Sequence, residues 1–265
     1  MPEIALQILL RILVVLALVY VGLGLLLFFI QGKLLYYPEV SDPLVCQAFE
    51  RSGVTKMTQG ETLMYYKKNG EALVVFYHGN GGKACDRLFL AQFLDSQKIS
   101  YLFVEYAGYG DGRRASQKLL EQNTRDADVF LKTLSFDALT FMGESLGTAL
   151  AASHATLRPP DKIILVTPYI KISDVATAHF PYNLYPVSLL LKDNFDTEAI
   201  AQYKNELLII HGREDEIIPL EQGARVYELA PSMKKKFVRI QAARHNDLYD
   251  FSEVWQELEI FLKSS

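Results

Sequence analysis

The sequence predicts an α/β fold, in which helices flank a mostly parallel sheet, preceded by one helix that crosses a membrane. Three observations support this: short apolar runs alternate with segments of helical periodicity, several of those runs are apolar throughout, and one uncharged run lies near the amino terminus. A composition of 50% hydrophobic and 22% charged residues excludes a disordered or collagen-like chain. A formal charge of -4, without a concentrated basic face, argues against nucleic acid as a partner.

The first predicted element is the membrane helix. Residues 12–30 are 19 consecutive uncharged, almost wholly apolar positions. At about 1.5 Å per residue they reach about 28 Å, close to the ~30 Å hydrocarbon thickness and longer than a secretory signal needs. No small-x-small cleavage pattern follows, so we expect residues 1–35 to remain as a single-pass anchor. Arg11 and Lys33 flank the run evenly, and only the amino terminus tips the positive charge toward an extracytoplasmic main domain.

Residues 36–265 are expected to form one domain, after a connecting segment with breakers at Pro38, Ser41, Asp42 and Pro43. Continuous apolar runs suit strands that are buried on both faces of a parallel sheet, so helices must cover both faces. We expect strands at 61–66, 72–78, 100–106, 138–143, 162–168, 205–211 and 235–241, and helices at 83–97, 115–134, 145–157, 220–230 and 251–263.

Residues 169–203 separate the fifth and sixth of these strands and are rich in aromatic and apolar side chains, among them Phe180 and Tyr185. Because this segment is longer than an ordinary crossover, we interpret it as a short lid. A crossover helix with a frayed loop is the alternative.

The two cysteines, Cys46 and Cys85, lie 39 residues apart, and neither CxxC nor HExxH occurs. This spacing fits no metal pair, so we assign no metal and no cofactor. An oxidising compartment would permit one bridge between them, but we expect two separate thiols.

A nucleophile elbow is predicted at 143–147, which reads Gly-Glu-Ser-Leu-Gly between an apolar strand and a helix of small residues. Such a sharp turn holds the Ser145 backbone in a strained conformation and exposes its hydroxyl. Gly143 and Gly147 are needed because a Cβ at either position would collide with the neighbouring strand or helix. The pattern alone is modest support, and its strand–turn–helix setting strengthens it.

A serine nucleophile needs a base and an acid, and the chain provides both in the expected order. Glu214, Asp215 and Glu216 follow one buried strand, and His245 follows the next. Charge alone does not choose among the three acids. Of the remaining histidines, His154 and His179 are interpreted as structural, and His211 as a packing or hydrogen-bonding group at the root of the acid loop.

Backbone amides are the usual donors to the oxyanion of acyl transfer. One is expected from Leu146, directly after the nucleophile, and the other from Asn80 in the loop 78–82 (His-Gly-Asn-Gly-Gly). A phosphate loop is the competing interpretation of this glycine-rich turn. It fails because Ala84 follows Gly82-Lys83, where Ser or Thr is required.

These residues bear a family resemblance: the segment from about 36 to 263 resembles the α/β-hydrolase superfamily and, more narrowly, its membrane-anchored Bem-type, serine-aminopeptidase-like branch. In that branch the acid is the third residue after a His-Gly pair, which implies Asp215, and the base precedes Asn-Asp, which implies His245. After Gly110 the chain departs from the branch, continuing with Asp111 and Gly112. The motifs are LLYYP at 34–38, HGNGG at 78–82, YAGYG at 106–110, GESLG at 143–147, HGREDEIIP at 211–219 and RHND at 244–247.

The leading hypothesis is a membrane-anchored serine hydrolase that cleaves a carboxylic ester or thioester through Ser145, His245, Asp215 and an acyl-enzyme intermediate. We expect a small-molecule or lipid-like acyl substrate, because a tether raises the local concentration of enzyme at the membrane. An aminopeptidase or amidase that uses the same triad is one alternative. A non-catalytic, membrane-bound binding module is another, because a fold does not guarantee activity. The oligomeric state stays open.

Overall fold

An eight-stranded sheet organises the main part of the chain. The computed structural model describes residues 2–38, 43–109, 113–179 and 181–264, and within them the strand order is β1-β2-β4-β3-β5-β6-β7-β8. β2 pairs antiparallel with β1 on one side and with β4 on the other, and all later neighbours are parallel. The strands are β1 Thr55–Gln59, β2 Thr62–Lys67, β3 Ala72–Tyr77, β4 Ser100–Val104, β5 Ala138–Glu144, β6 Lys162–Val166, β7 Glu206–Gly212 and β8 Lys235–Ile240.

Helices cover both faces of this sheet, as predicted. One face packs against α4, α5 and α8 and the other against α2, α3 and α9, so the core has two apolar layers. A short 3-10 turn, Ala84–Arg87, precedes α3. The helices are α1 Pro2–Leu35, α2 Pro43–Arg51, α3 Leu88–Ser96, α4 Gln117–Leu131, α5 Gly147–Leu157, α6 Ile172–Thr177, α7 Val187–Leu190, α8 Leu220–Leu229 and α9 Ser252–Lys263.

All seven predicted strands are confirmed, and two elements were not anticipated. β1 is an edge strand of sequence Thr-Lys-Met-Thr-Gln, whose side chains are exposed or half-buried. A strand in this position needs few apolar side chains, which is why its sequence lacks the apolar signal. α2 begins at Pro43, in what looked like a connecting segment, and buries Phe49 between Tyr65 and Phe103.

The expectation of two separate thiols is wrong, because Cys46 and Cys85 form a disulfide. Cys46 lies on α2 and Cys85 in the turn before α3, and the two elements pack together. This packing brings the two Cα atoms to 4.9 Å, within the range that a disulfide requires. The bond joins residues whose proximity depends on a helix that the sequence did not predict.

α1 contains the whole predicted membrane run, 12–30, and extends beyond it at both ends. It is long and apolar enough to cross a membrane, and its most apolar stretch is not buried against the domain. The segment predicted as a lid consists of α6, α7 and short 3-10 turns, and it contacts the second half of α1. Six residues named in the predictions lie outside the described residues: Ser41, Asp42, Gly110, Asp111, Gly112 and Phe180.

Candidate active site

The turn between β5 and α5 has the strained geometry of a nucleophile elbow. Ser145 has φ of 50°, the left-handed region that L-residues rarely adopt, and its side chain lies at the carboxyl end of the sheet. A Cβ on Gly143 would lie 2.4 Å from the Gly147 carbonyl oxygen, and one on Gly147 would lie 2.1 Å from the Tyr77 carbonyl oxygen. The steric requirement predicted for both glycines is therefore confirmed.

A serine, a histidine and an aspartate form one hydrogen-bonded row at this edge. The Ser145 hydroxyl lies 3.1 Å from His245 Nε2 and can donate to it. On the other side of the ring, Nδ1–H of His245 donates to Asp215 Oδ2 at 2.8 Å. Asp215 lies in the loop after β7 and His245 in the loop after β8, so parallel strands bring three distant sequence positions together.

Hydrogen bonds hold the Asp215 carboxylate in place from two sides. Its Oδ1 accepts the amides of Ile217 at 3.0 Å and Ile218 at 2.7 Å, and its Oδ2 lies 3.3 Å from Nε2 of the buried His211. Burial alone would raise the pKa of Asp215. The hydrogen bonds from His211 and His245, with the charge of His245 and the Ile218 amide, instead lower that pKa well below its ordinary value. Asp215 is therefore ionised at neutral pH.

The two acids beside Asp215 point elsewhere. Glu214 and Glu216 are both exposed, whereas the side chain of Asp215 is fully buried beneath the imidazole. Glu216 reaches only the backbone amide of His245, at 3.4 Å. Among the three candidates, Asp215 alone contacts the imidazole of His245, as the family resemblance implied.

The loop 78–82 passes directly beside the elbow. A Cβ on Gly79 would lie 3.5 Å from Cβ of Ser145. The carbonyl oxygen of Asn80 accepts hydrogen bonds from the Tyr37 amide at 3.0 Å and the Tyr109 hydroxyl at 2.9 Å, which fixes this peptide unit. Within the described ranges, neither the backbone N–H of Asn80 nor that of Leu146 has a hydrogen-bond acceptor. Both are therefore available to a substrate oxygen.

A half-buried ion pair that the sequence did not reveal joins this loop to the elbow. Arg87 donates from Nη2 to Oε1 of Glu144 at 2.5 Å and from Nη1 to the Gly81 carbonyl oxygen at 2.9 Å. Burial alone would raise the pKa of Glu144, but the charge and hydrogen bonds of Arg87 lower it below its ordinary value. Glu144 is the second residue of the GESLG motif, so its position was visible in the sequence, but its partner was not.

The other histidines have structural surroundings. His154 is fully buried, accepts a 2.6 Å hydrogen bond from the Tyr77 hydroxyl at Nδ1 and stacks on Phe141. Burial lowers the pKa of His154 to about 4, so it is neutral at pH 7. His179 donates to the Ile217 carbonyl oxygen at 2.9 Å, which connects the predicted lid to the acid loop. His211, as expected, makes its hydrogen bonds at the root of that loop.

One group of potential metal ligands occurs in the part of the chain that is described: Cys46, Cys85 and Asp86. Both sulfur atoms belong to the disulfide, so the group supplies no thiolate. Cys46 lies on α2, and Cys85 and Asp86 lie in the short turn before α3.

Sequence comparisons relate the chain to known hydrolases. The sequence model of the family described as Serine aminopeptidase, S33, matches residues 68–196. The chain is 29% identical over 252 residues to the uncharacterized protein Rv2307c of Mycobacterium tuberculosis, an alignment covering 90% of this chain and 88% of that protein. It is 25% identical over 243 residues to the lysophosphatidylserine lipase ABHD12 of Bos taurus, covering 79% of this chain. The match spans 61% of the lipase, less than two thirds of its length.

The same relationship is visible in three dimensions. Est1E from Butyrivibrio proteoclasticus superposes with a TM-score of 0.61 at 18% identity, over 79% of this chain and 98% of that structure. At this identity the superposition establishes the fold. The chain belongs to the α/β-hydrolase superfamily. The sheet order, the elbow between β5 and α5 and the superposition agree with this membership.

Proposed function

We propose that the chain is a serine hydrolase that cleaves carboxylic esters or thioesters through Ser145, His245 and Asp215. The observation that carries the proposal is the continuous row of two hydrogen bonds, 3.1 Å and 2.8 Å, between these side chains. The ionised Asp215 keeps the proton of the imidazole on Nδ1, so that the lone pair of Nε2 faces the serine hydroxyl.

The geometry supports a two-step acyl transfer. His245 accepts the Ser145 proton as the serine oxygen attacks the substrate carbonyl carbon, and the amides of Asn80 and Leu146 donate to the resulting oxyanion. When the tetrahedral intermediate collapses, His245 returns the proton to the departing alcohol or thiol, which leaves an acyl-serine. A water molecule then gives its proton to His245, attacks the acyl carbon and releases the carboxylic acid, and the proton returns to Ser145.

A lipid-like acyl substrate is the class that the surroundings favour. The relative from Bos taurus is described as a lysophosphatidylserine lipase. We propose that residues 1–35 anchor the protein in a membrane and that 36–265 form the hydrolase domain, with 169–203 as its lid. An apolar helix of this length supports the anchor. The tether would hold the active site at a concentrated supply of acyl lipids.

The disulfide supports an extracytoplasmic position for the hydrolase domain. Disulfides persist in oxidising compartments and are rare in the cytosol. The Cys46–Cys85 bond lies in the domain, on the carboxyl side of α1. We therefore propose that the amino terminus faces the cytoplasm and that the domain lies on the opposite side of the membrane. Protease added to sealed, right-side-out vesicles meets the extracytoplasmic face. Protection of the domain from that protease would contradict this orientation.

Labelling with a fluorophosphonate probe tests the catalytic part of the proposal. The full chain in detergent should be labelled, and Ser145→Ala should abolish labelling. Ser153→Ala is the matched control, because Ser153 lies on the helix that follows the elbow and is not part of the hydrogen-bonded row. Labelling of Ser145→Ala at the wild-type level, or a folded wild-type protein that the probe does not label, would overturn the proposal.

Cleavage of amides is the second candidate, and the serine aminopeptidase family match favours it. The same triad can attack an amide, so the site geometry does not separate the two reactions. A panel of acyl esters of graded chain length, run beside aminoacyl amides, distinguishes them. A higher kcat/KM for the amides would replace ester hydrolysis with peptidase activity, and a short-chain ester optimum would exclude the lipid substrate.

A further inference from the structure

α1 is longer than a bilayer requires, and the lid contacts part of its predicted membrane-spanning run. At about 1.5 Å per residue, the 34 residues of α1 measure about 51 Å, against about 30 Å of hydrocarbon. The uncharged part of the helix, 12–32, lies between Arg11 and Lys33. The side chains of residues 3–19 are exposed, whereas several between 20 and 32 contact residues 182–192, which we name the lid tip.

The contact begins at two tyrosines. The rings of Tyr20 and Tyr185 stack with centroids 4.6 Å apart. The Tyr20 hydroxyl donates to the Leu184 carbonyl oxygen at 2.7 Å, and the Tyr185 hydroxyl donates to the Tyr20 carbonyl oxygen at 2.8 Å. Gly24 lies under the same ring, and a Cβ there would be 2.8 Å from Cε1 of Tyr185. Helix and lid tip therefore approach each other closely at this level.

The contact ends at Gln31. Its Nε2 donates to the Leu190 carbonyl oxygen at 3.4 Å, and its Oε1 accepts the Lys192 amide at 2.7 Å. Lys192 places its ammonium group 4.5 Å from the centre of the Phe28 ring. The first charged residue after the lid tip's apolar run thus lies at the same level as the last uncharged residues of the helix.

These hydrogen bonds satisfy backbone groups of the lid tip with side chains of α1. Irregular backbone is tolerated at membrane depth only where its polar groups find partners within the protein, since lipid provides none. Tyr20 and Gln31 supply such partners to Leu184, Leu190 and Lys192. If the lid tip lay in water, these backbone groups could hydrogen-bond to solvent. Nothing would then require exposed apolar side chains beside them.

The outer surface of the lid tip is largely apolar, and its exposed polar side chains before Lys192, Asn183 and Ser188, are uncharged. Residues 180–191 contain no charged side chain. The exposed fractions are 51% for Leu184, 82% for Leu189 and 36% for Leu190. From Tyr20 to Gln31 the helix rises about 16 Å at 1.5 Å per residue, about half of the hydrocarbon thickness. An apolar surface at this depth along a membrane helix matches one leaflet.

We infer that the lid tip is embedded, together with α1, in the leaflet nearer to the hydrolase domain, and that it forms the membrane-side entrance for the substrate. This rests on the proposed function for the identity of the substrate. The other end of the lid contacts the acid loop, where His179 donates to the Ile217 carbonyl oxygen, two residues from Asp215. A lipid ester would therefore pass from the bilayer along the lid to Ser145 without crossing water.

Fluorescence tests the position of the lid tip without any enzyme activity. The full chain is reconstituted in phosphatidylcholine vesicles, and a nitrobenzoxadiazole label is attached at Leu189→Cys under non-reducing conditions, where both native cysteines are in the disulfide. Met233→Cys is the matched control, since Met233 is an apolar residue that is 95% exposed at the amino end of the sheet, near β8. Lipids brominated on their acyl chains should quench the label at 189, and aqueous iodide should quench the label at 233. Equal quenching of both labels by iodide, with none by brominated lipid, would overturn the inference.

Hydrolysis tests the entrance. Leu189→Asp should lower the rate on a long-chain ester presented in vesicles at least about tenfold, because a carboxylate is costly in hydrocarbon. The rate on a soluble short-chain ester should stay within about twofold. Met233→Asp should change neither rate. An unchanged vesicle rate, or equal losses on both esters, would refute the entrance. Absence of hydrolysis by the wild-type protein would instead count against the proposed function and leave the fluorescence result intact.

Discussion

The two ends of the sheet both carry charged side chains, yet they use them differently. At the amino ends of the strands, a cavity of about 660 Å³ is lined by Asp161, Lys162 and Glu206, among others. Lys162 donates there to the carbonyl oxygen of Phe261 and the hydroxyl of Ser264, which ties the end of α9 to β6. At the carboxyl ends, the loop 78–82 passes close to Ser145, and the backbone amides of Asn80 and Leu146 have no hydrogen-bond acceptor in the described ranges.

A cavity lined by charged side chains therefore also occurs at the end of the sheet opposite to the proposed active site. At the amino end the polar groups hydrogen-bond to one another and stabilise the fold. At the carboxyl end, Asp215 and His245 are held in place by hydrogen bonds while the groups that would meet a substrate stay available. Removing a polar side chain at the amino end should therefore lower stability without lowering activity, whereas removing the carboxylate of Asp215 should lower activity.

The largest effect is expected from Asp215→Asn. An amide in place of the carboxylate would favour the wrong imidazole tautomer, and kcat on a soluble ester should fall about 10⁴-fold. Glu214→Gln is the matched control, because the exposed Glu214 makes no side-chain contact with His245. Steady-state kinetics on both variants measure this. If Asp215→Asn kept a tenth of the wild-type rate, the assignment of Asp215 as the acid would be contradicted.

Gly147→Ala should destabilise the carboxyl end, because its Cβ would lie 2.1 Å from the Tyr77 carbonyl oxygen. Backbone atoms have to shift to make room, and we expect a loss of about 3 kcal/mol of unfolding free energy. Gly81→Ala is the control on the same edge, since a Cβ there meets nothing within 4 Å. Denaturant unfolding in detergent measures both, and equal stabilities would show that the elbow tolerates a side chain.

Lys162→Met should show most clearly that the amino end of the sheet affects stability and not activity. The variant removes the ammonium group that bonds to the end of α9, with a loss of about 1–3 kcal/mol of unfolding free energy. Activity at 25 °C should be unchanged, because the side chain lies at the opposite end of the sheet. Ester kinetics and denaturant unfolding of the same preparation check this, and a fall in kcat without a fall in stability would contradict the division of roles.

The smallest effect is a dependence on pH. The folded protein lowers the pKa of Asp215 below the unfolded value of about 3.9. The ionised group therefore contributes stability that is fully present above about pH 5 and is lost as the pH falls toward the folded pKa. The free energy of unfolding of the wild type, relative to Asp215→Asn, should decrease between pH 5 and pH 3 by about 1 kcal/mol. A difference that stays constant over this range would show that the carboxylate gains nothing from its hydrogen bonds.

The sequence was informative wherever one local rule decides the structure. The parallel strands are continuous apolar runs, and the elbow needs glycine on both sides of its serine, so both were predictable from short segments. β1 was not, because an exposed edge strand has no apolar pattern. Asp215 could be chosen over its acidic neighbours only through the family resemblance, since the direction of each side chain depends on the fold of the loop.

Features that depend on two distant elements were beyond the sequence. The Arg87–Glu144 ion pair needs the turn before α3 to meet the end of β5, and no spacing encodes that meeting. The Cys46–Cys85 bond depends on the packing of α2 against the turn before α3, and α2 was not predicted. The contact of α1 with the lid tip joins positions more than 150 residues apart through hydrogen bonds of Tyr20 and Gln31, which in the sequence are two polar groups in or beside an apolar run.

The Cys46–Cys85 bond also determines what proteolysis can release. It closes a covalent ring that contains β1, β2, β3 and the loop 78–82. A protease that cuts inside this ring, for example in the turn at Gly60 between β1 and β2, leaves α1 attached to the fragment that carries Ser145. Shedding of that fragment from α1 by such a cut would require a second chemical event, reduction of the sulfur–sulfur bond.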